Sequence, residues 1–189
     1  MTNSQEGHAT ARVRPGTTPL GILMLLLTLL LAAATVGCST AAGTQGGLVQ
    51  PPRPAFALSG RNWDDREFHL GDQKGHVVVL FFGYTSCPDV CPNALAKMRS
   101  LYQRLGSRAR DVAVVFVSID PERDTTARLS AYVAGFDARF FGVRIEPDAL
   151  PLVEAGFDLT VKKRRATSGL ASYYIDHTSS FYAIDRQGR

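Results

Sequence analysis

The run Val77-Val78-Val79-Leu80-Phe81-Phe82 constrains this chain more than any other stretch. Six consecutive apolar residues, all β-branched, aromatic or leucine, suit a central strand covered on both faces. The run leads through Gly83-Tyr84-Thr85-Ser86 into Cys87-Pro88-Asp89-Val90-Cys91-Pro92, after which Leu95, Met98, Leu101, Tyr102 and Leu105 recur at helical spacing. Two thiols four positions apart therefore lie where a buried strand hands over to an amphipathic helix. A helix N-terminus carries partial positive charge and free N–H groups, which favour thiolate over thiol. Pro92 suits the first helical position and so places Cys91 at the N-cap. Pro88 and Asp89 suit a turn, which lets Cys87 fold back towards Cys91. The pair can close a disulfide or hold a soft metal ion.

The sequence holds a third cysteine, Cys38, and its surroundings differ. Arg12 and Arg14 precede an apolar run from Leu20 to Leu31, and small residues lead to Gly37-Cys38-Ser39. A basic start, a short apolar segment and small residues before a cut describe a secretory signal. The cysteine directly after Gly37 resembles the lipobox of bacterial lipoproteins, in which the cysteine is lipidated and becomes the new N-terminus. The alternative is an uncleaved N-terminal helix, since Leu20 to Val36 reaches the short limit of a span. Both place the rest of the chain outside the cytoplasm, where disulfides persist. The expected division is a lipoprotein-type signal peptide over 1–37, a flexible tether over 38–54 and one domain over 55–189.

Within that domain, Phe56-Ala57-Leu58 and Glu67-Phe68-His69-Leu70 read as short strands around a turn at Gly60 to Asp65. Val112 to Ile119 is a second buried strand, and Thr125 or Thr126 can cap a helix running to about Phe136. Phe140 to Ile145 reads as a strand, Pro147 to Phe157 as a helix, 162–171 as a polar loop and Ser180 to Ile184 as a last strand. Strands alternating with helices give an α/β domain with a mainly parallel centre. A dithiol just past a central strand and opening a helix is where thioredoxin-like folds keep their chemistry. That fold, with an extra N-terminal β-hairpin, is the expectation. Asp185-Arg186-Gln187-Gly188 signals a turn with only Arg189 beyond it. The reading therefore expects no final edge strand and no C-terminal helix, and loose order past Ile184.

Net charge is +4, and the basic residues are scattered apart from Lys162-Lys163-Arg164-Arg165. No nucleic-acid module signature appears. The basic run reads as a solvated segment or as a contact for anionic lipid or an acidic partner.

Two thiolates alone make a poor metal site, so a third ligand is required, and the chain has four histidines. His8 lies in the presequence, and His69 and His76 flank the strand entering the site at its far end. His177 follows Tyr173-Tyr174-Ile175-Asp176 and precedes a strand. Thioredoxin-like enzymes place a cis-proline facing their cysteines at that point, yet no proline occurs after Pro151. An imidazole can occupy that place. Asp176 could orient the loop or the ring, and Asp89 is the other carboxylate beside the ligands.

Three motifs together resemble one family. Gly83 to Pro92, then Val117-Ser118-Ile119-Asp120-Pro121-Glu122-Arg123-Asp124-Thr125, then Asp176-His177-Thr178 before Phe181-Tyr182-Ala183-Ile184-Asp185, are similar to the motifs of the SCO/SenC family. Its members are membrane-tethered, thioredoxin-like copper chaperones that help metallate the binuclear copper centre of cytochrome c oxidase. The resemblance implies copper, as Cu(I) or Cu(II), on Cys87, Cys91 and His177, and a Cys87–Cys91 disulfide when oxidised. It implies the copper-centre subunit of the oxidase as partner, with other copper chaperones or thiol reductants upstream. A thiol–disulfide reductase that keeps partner cysteines reduced is the competing function. Soft thiolates with one imidazole select copper over magnesium, calcium or manganese. Zinc requires a fourth ligand, which water can supply.

Overall fold

The computed structural model describes residues 46–62, 64–167 and 172–189. Its regular structure lies in one unit, Val49–Arg189. Among the described residues the strands are β1 (Ser59–Arg61), β2 (Glu67–His69), β3 (Val77–Gly83), β4 (Val112–Ser118), β5 (Phe141–Arg144), β6 (Val161–Arg165), β7 (Tyr173–His177) and β8 (Phe181–Ile184). The helices are α1 (Val90–Leu105), α2 (Thr126–Ala134) and α3 (Leu150–Gly156). Signal and lipidation residues up to Cys38 lie outside the described residues. Among those described, no helix is long and apolar enough to cross a membrane.

Six strands form one sheet in the order β2-β1-β5-β4-β3-β8. The central strands β5, β4 and β3 run parallel, while β8 lies antiparallel along β3 at one edge. This is the thioredoxin-like arrangement, with β1 and β2 added as an N-terminal hairpin. The apolar runs explain the order, because strands covered on both faces must take the middle. Leu80, Val115, Phe116 and Val117 are wholly buried there. Helix α1 covers this centre with Ala94, Leu95 and Tyr102. The Tyr102 hydroxyl donates to the Val112 carbonyl at 2.6 Å, pinning the helix to the start of β4.

Four local expectations need correction. First, α1 starts two residues early: Asp89 is the N-cap and Cys91 sits inside the first turn. Second, β1 takes Ser59–Arg61 in place of the expected strand Phe56–Leu58, reaching into the expected turn at Gly60 and Arg61. Gly60 serves close approach there, since a Cβ would stand 2.5 Å from the Arg144 carbonyl oxygen. Third, the 162–171 loop starts as a strand, with β6 pairing antiparallel to β7 from Val161–His177 to Arg165–Tyr173. Its four basic residues are exposed and show no apolar alternation, so only backbone pairing and ion pairs reveal the strand. Fourth, the residues past Ile184 are held. Ala55 N–H donates to the Gly188 carbonyl and Gly75 N–H to that of Arg186, both at 2.9 Å. Gly188 makes the turn at φ +81, a conformation that side chains disfavour.

Candidate metal and thiol site

The site forms where β3 ends. Cys87 lies in the loop after β3, and its N–H donates to the Tyr84 carbonyl at 3.2 Å. Cys91 lies in the first turn of α1 and is wholly buried, whereas Cys87 is half-buried. The Cys91 N–H, free at the helix start, points at Cys87 Sγ from 3.5 Å. Close packing fixes Cys91 from behind: a Cβ on Gly83 would stand 2.7 Å from its sulfur.

His177 arrives from the end of β7. Its Nε2 lies 3.7 Å from Cys91 Sγ. Its Nδ1 lies 2.9 Å from the Thr178 carbonyl oxygen, which can only accept. Nδ1 therefore carries a proton, and Nε2 is the ring nitrogen that faces the cysteines. Phe81 and Tyr84 wall the imidazole edge-on, with centroids 6.1 and 5.9 Å away. The donor atoms of Cys87, Cys91 and His177 all lie within 4.8 Å of one another, so the three could hold one ion. His69 and His76 are exposed and lie elsewhere, His69 against Ser59.

The two thiols differ strongly. The Cys91 thiol donates to Cys87, and this lowers Cys87 from its ordinary 9.0 to about 3, against the opposing effect of burial. His177 and the backbone N–H groups of Asp89 and Cys91 lower it further. Cys91 moves upwards for the reciprocal reason, reinforced by burial. One proton thus stays on the buried sulfur, and the accessible sulfur is the thiolate. Neighbouring side chains shape the mouth: Pro88, Val90, Arg164 and Tyr174 line a cavity with Cys87 and His177.

The Asp176 carboxylate pairs with Arg164 across the β6–β7 ribbon. Thr178 holds the ring. Asp89 accepts from the Asn93 side chain at 2.6 Å and closes the helix start.

Two supporting clusters escaped the sequence. Asp124, wholly buried, accepts from Thr85 N–H at 3.0 Å, from the Thr85 hydroxyl at 2.5 Å and from the Ser118 hydroxyl at 2.7 Å. It ties the cysteine loop to the end of β4. Arg123 and Tyr173 join the same β4–α2 loop to β7. The signal available was the density of charge in Asp120 to Asp124, directly after a buried strand.

Comparison with known proteins extends this reading. The SCO1/SenC family profile matches residues 53–189. A SCO2-like protein of Rickettsia prowazekii is 32% identical over 122 residues, covering 65% of this chain and 60% of that protein. The chain thus spans about three fifths of the length of curated relatives it matches. Among solved structures, ScoI of Bradyrhizobium japonicum with copper bound superposes with a TM-score of 0.67 at 32% identity, covering 72% of this chain and 86% of that one. BsSco, described by a disulfide switch and as a member of the Sco family of cytochrome c oxidase assembly proteins, gives a TM-score of 0.55 at 25% identity, covering 71% and 78%. The profile takes in the strand, both cysteines, the buried carboxylates and the histidine ribbon alike, and the chain belongs to the SCO1/SenC family.

Proposed function

We propose that this protein is a copper chaperone, tethered outside the cytoplasm, that carries one copper ion on Cys87, Cys91 and His177. It delivers the ion to the binuclear copper centre of cytochrome c oxidase, through the subunit that houses that centre. One observation carries the reading: two sulfurs and one imidazole nitrogen lie within 4.8 Å of one another. Donors on one ion stand at most about 4.6 Å apart when each bond is about 2.3 Å, so closure needs little movement. The donor set is soft and suits copper. The copper-bound relative from Bradyrhizobium japonicum supports the cargo, and the BsSco description supports the destination. The tether in this reading is lipid on Cys38, the first residue after a signal peptide over 1–37, with a bacterial membrane as its seat. The test is metal content of the reduced protein after copper loading, compared with Cys87→Ser and His177→Ala. One copper per chain, lost in Cys87→Ser, is expected; equal retention in that variant refutes the site.

A second reading has its own observation. An accessible low-pKa thiolate beside a buried thiol is also what a thiol–disulfide reductase needs. In that reading Cys87 attacks a partner disulfide and Cys91 resolves the mixed disulfide, with reducing equivalents from an external thiol. Turnover of a disulfide substrate by metal-free protein would separate the two.

A further inference from the structure

We infer that Arg123 is a positioning residue for His177, acting through the β6–β7 ribbon; this rests on the proposed ligand role of His177. The ribbon pairs only with itself among the described strands, so its placement depends on side chains. Tyr173, Ile175 and His177 alternate along β7 and share the face towards the body, with Ile175 buried. Whatever fixes Tyr173 therefore fixes the register of the imidazole, because a slip of one residue would turn it outward.

Arg123 supplies that fixing. Its guanidinium carbon lies 3.7 Å from the Tyr173 ring centroid and 5.6 Å from that of Tyr84. Its Nη1 donates to the Tyr173 carbonyl at 3.0 Å. Its Nε donates to Asp120, whose other oxygen accepts from the Tyr173 hydroxyl at 2.6 Å. Asp120 is wholly buried at the end of β4, so the ribbon is referenced to the rigid sheet. Tyr84 adds a second fastening by accepting from Ile175 N–H at 3.2 Å, two residues from the histidine. Planarity and forked donors let one guanidinium stack on a ring, bind its carbonyl and pair with a carboxylate at once, which an ammonium cannot do. Nη2 is buried without a hydrogen-bond partner among the described residues.

The test uses the full chain with Arg123→Lys and Tyr173→Phe, the latter mild enough to preserve the core. Two readouts are taken: amide hydrogen exchange of metal-free reduced protein, and the absorption and electron paramagnetic resonance of the Cu(II) form. Exchange at Ile175 and His177 is expected to rise at least about tenfold in Arg123→Lys, matching the loss of a charge-assisted bond, while α1 amides stay unchanged. The Cu(II) spectrum is expected to move towards that of His177→Ala. Lowered stability with unchanged ribbon exchange and an unchanged spectrum in both variants overturns the inference. If wild type and His177→Ala share one Cu(II) spectrum, the ligand reading fails instead, and exchange alone then decides whether Arg123 holds the ribbon.

Discussion

Cys91 Sγ and His177 Nε2 stand 3.7 Å apart although 86 positions separate them. No local geometry joins them. Cys91 is set by the start of α1, and His177 by a two-stranded ribbon outside the main sheet. The site is thus half rigid and half mounted on a separately fastened arm, which suits the proposed role of holding and then releasing an ion.

The ligands should rank unequally. Even groups behind a metal ligand are worth roughly 10–100-fold in affinity, so His177→Ala should cost at least about tenfold. Cys87→Ser and Cys91→Ser should each cost more, because thiolates supply most of the preference for copper. Competition titration of Cu(I) against a chelator of known affinity measures the order. A His177→Ala loss exceeding both thiol losses would reverse the assignment.

What could be read from the sequence follows the range of the interactions. Val77 to Phe82 and Val112 to Val117 declare themselves because burial on both faces leaves unbroken apolar runs. Cys87 and Cys91 declare themselves because spacing and helix placement are local. His177 stood out by its place before a strand, where a proline was missing. The β6 strand was hidden because Lys162 to Arg165 carry no apolar period and gain their order from Asp176, Glu122 and the β7 backbone. Asp124 was hidden because its partner Thr85 is 39 positions away, and Arg123 because Tyr173 is 50 away. Neither pair leaves a pattern in one dimension.

The thiol asymmetry predicts pH behaviour. Cys87 is lowered from 9.0 to about 3, chiefly by the Cys91 thiol. In reduced, metal-free protein, iodoacetamide should modify Cys87 at a rate nearly flat from about pH 5 to 8, whereas an ordinary thiol gains about tenfold per unit below its pKa. The linkage sign follows. The folded value lies below the unfolded one, so this thiolate stabilises the fold fully above about 9 and loses that contribution as pH falls towards 3. Cys91 is shifted upwards and acts oppositely, its contribution being present below its unfolded value and lost on the alkaline side. A Cys87 alkylation rate that climbs tenfold per unit across pH 5–8 would contradict the arrangement.

Copper and the disulfide should exclude each other. Both use the same two sulfurs, and metal ligation requires them as thiolates. Oxidised protein should take up no copper until a reductant is added, and Cu(I)-loaded protein should resist oxidation to the disulfide. Equal uptake by the disulfide and dithiol forms, measured by metal analysis after desalting, would rule this out.

Gly83→Ala should disturb the site from behind. The added Cβ would stand 2.7 Å from Cys91 Sγ and 2.9 Å from the Phe116 ring. Both neighbours are wholly buried, so neither can give way cheaply. Overpacking of this kind costs about 1–3 kcal/mol. Urea denaturation of the reduced protein should report that loss, and copper affinity should fall because the displaced sulfur is a donor. An unchanged midpoint would mean that the strand can shift to admit a methyl group.

Asp124→Asn should loosen the cysteine loop without touching a ligand. The carboxylate accepts three hydrogen bonds, two of them from Thr85 and one from Ser118, and carries no donor of its own. An amide with its NH2 group in place of Oδ1 meets the Thr85 hydroxyl, which already accepts from Arg128 Nε, so the hydroxyl's own proton loses its acceptor. That leaves a buried polar group unmet, at a cost of about 1–3 kcal/mol. The Arg128 guanidinium, which donates to the Thr85 and Ser86 hydroxyls, then loses the negative charge 3.9 Å away that balances it. Thr85 is two residues before Cys87, so the loss appears at the thiolate. The expected outcome is a lower urea midpoint together with faster exchange of the Thr85 to Cys87 amides, while the β3 and β4 amides keep their protection. A stability loss spread evenly over β3, β4 and the loop would show that Asp124 supports the core as a whole and not the site.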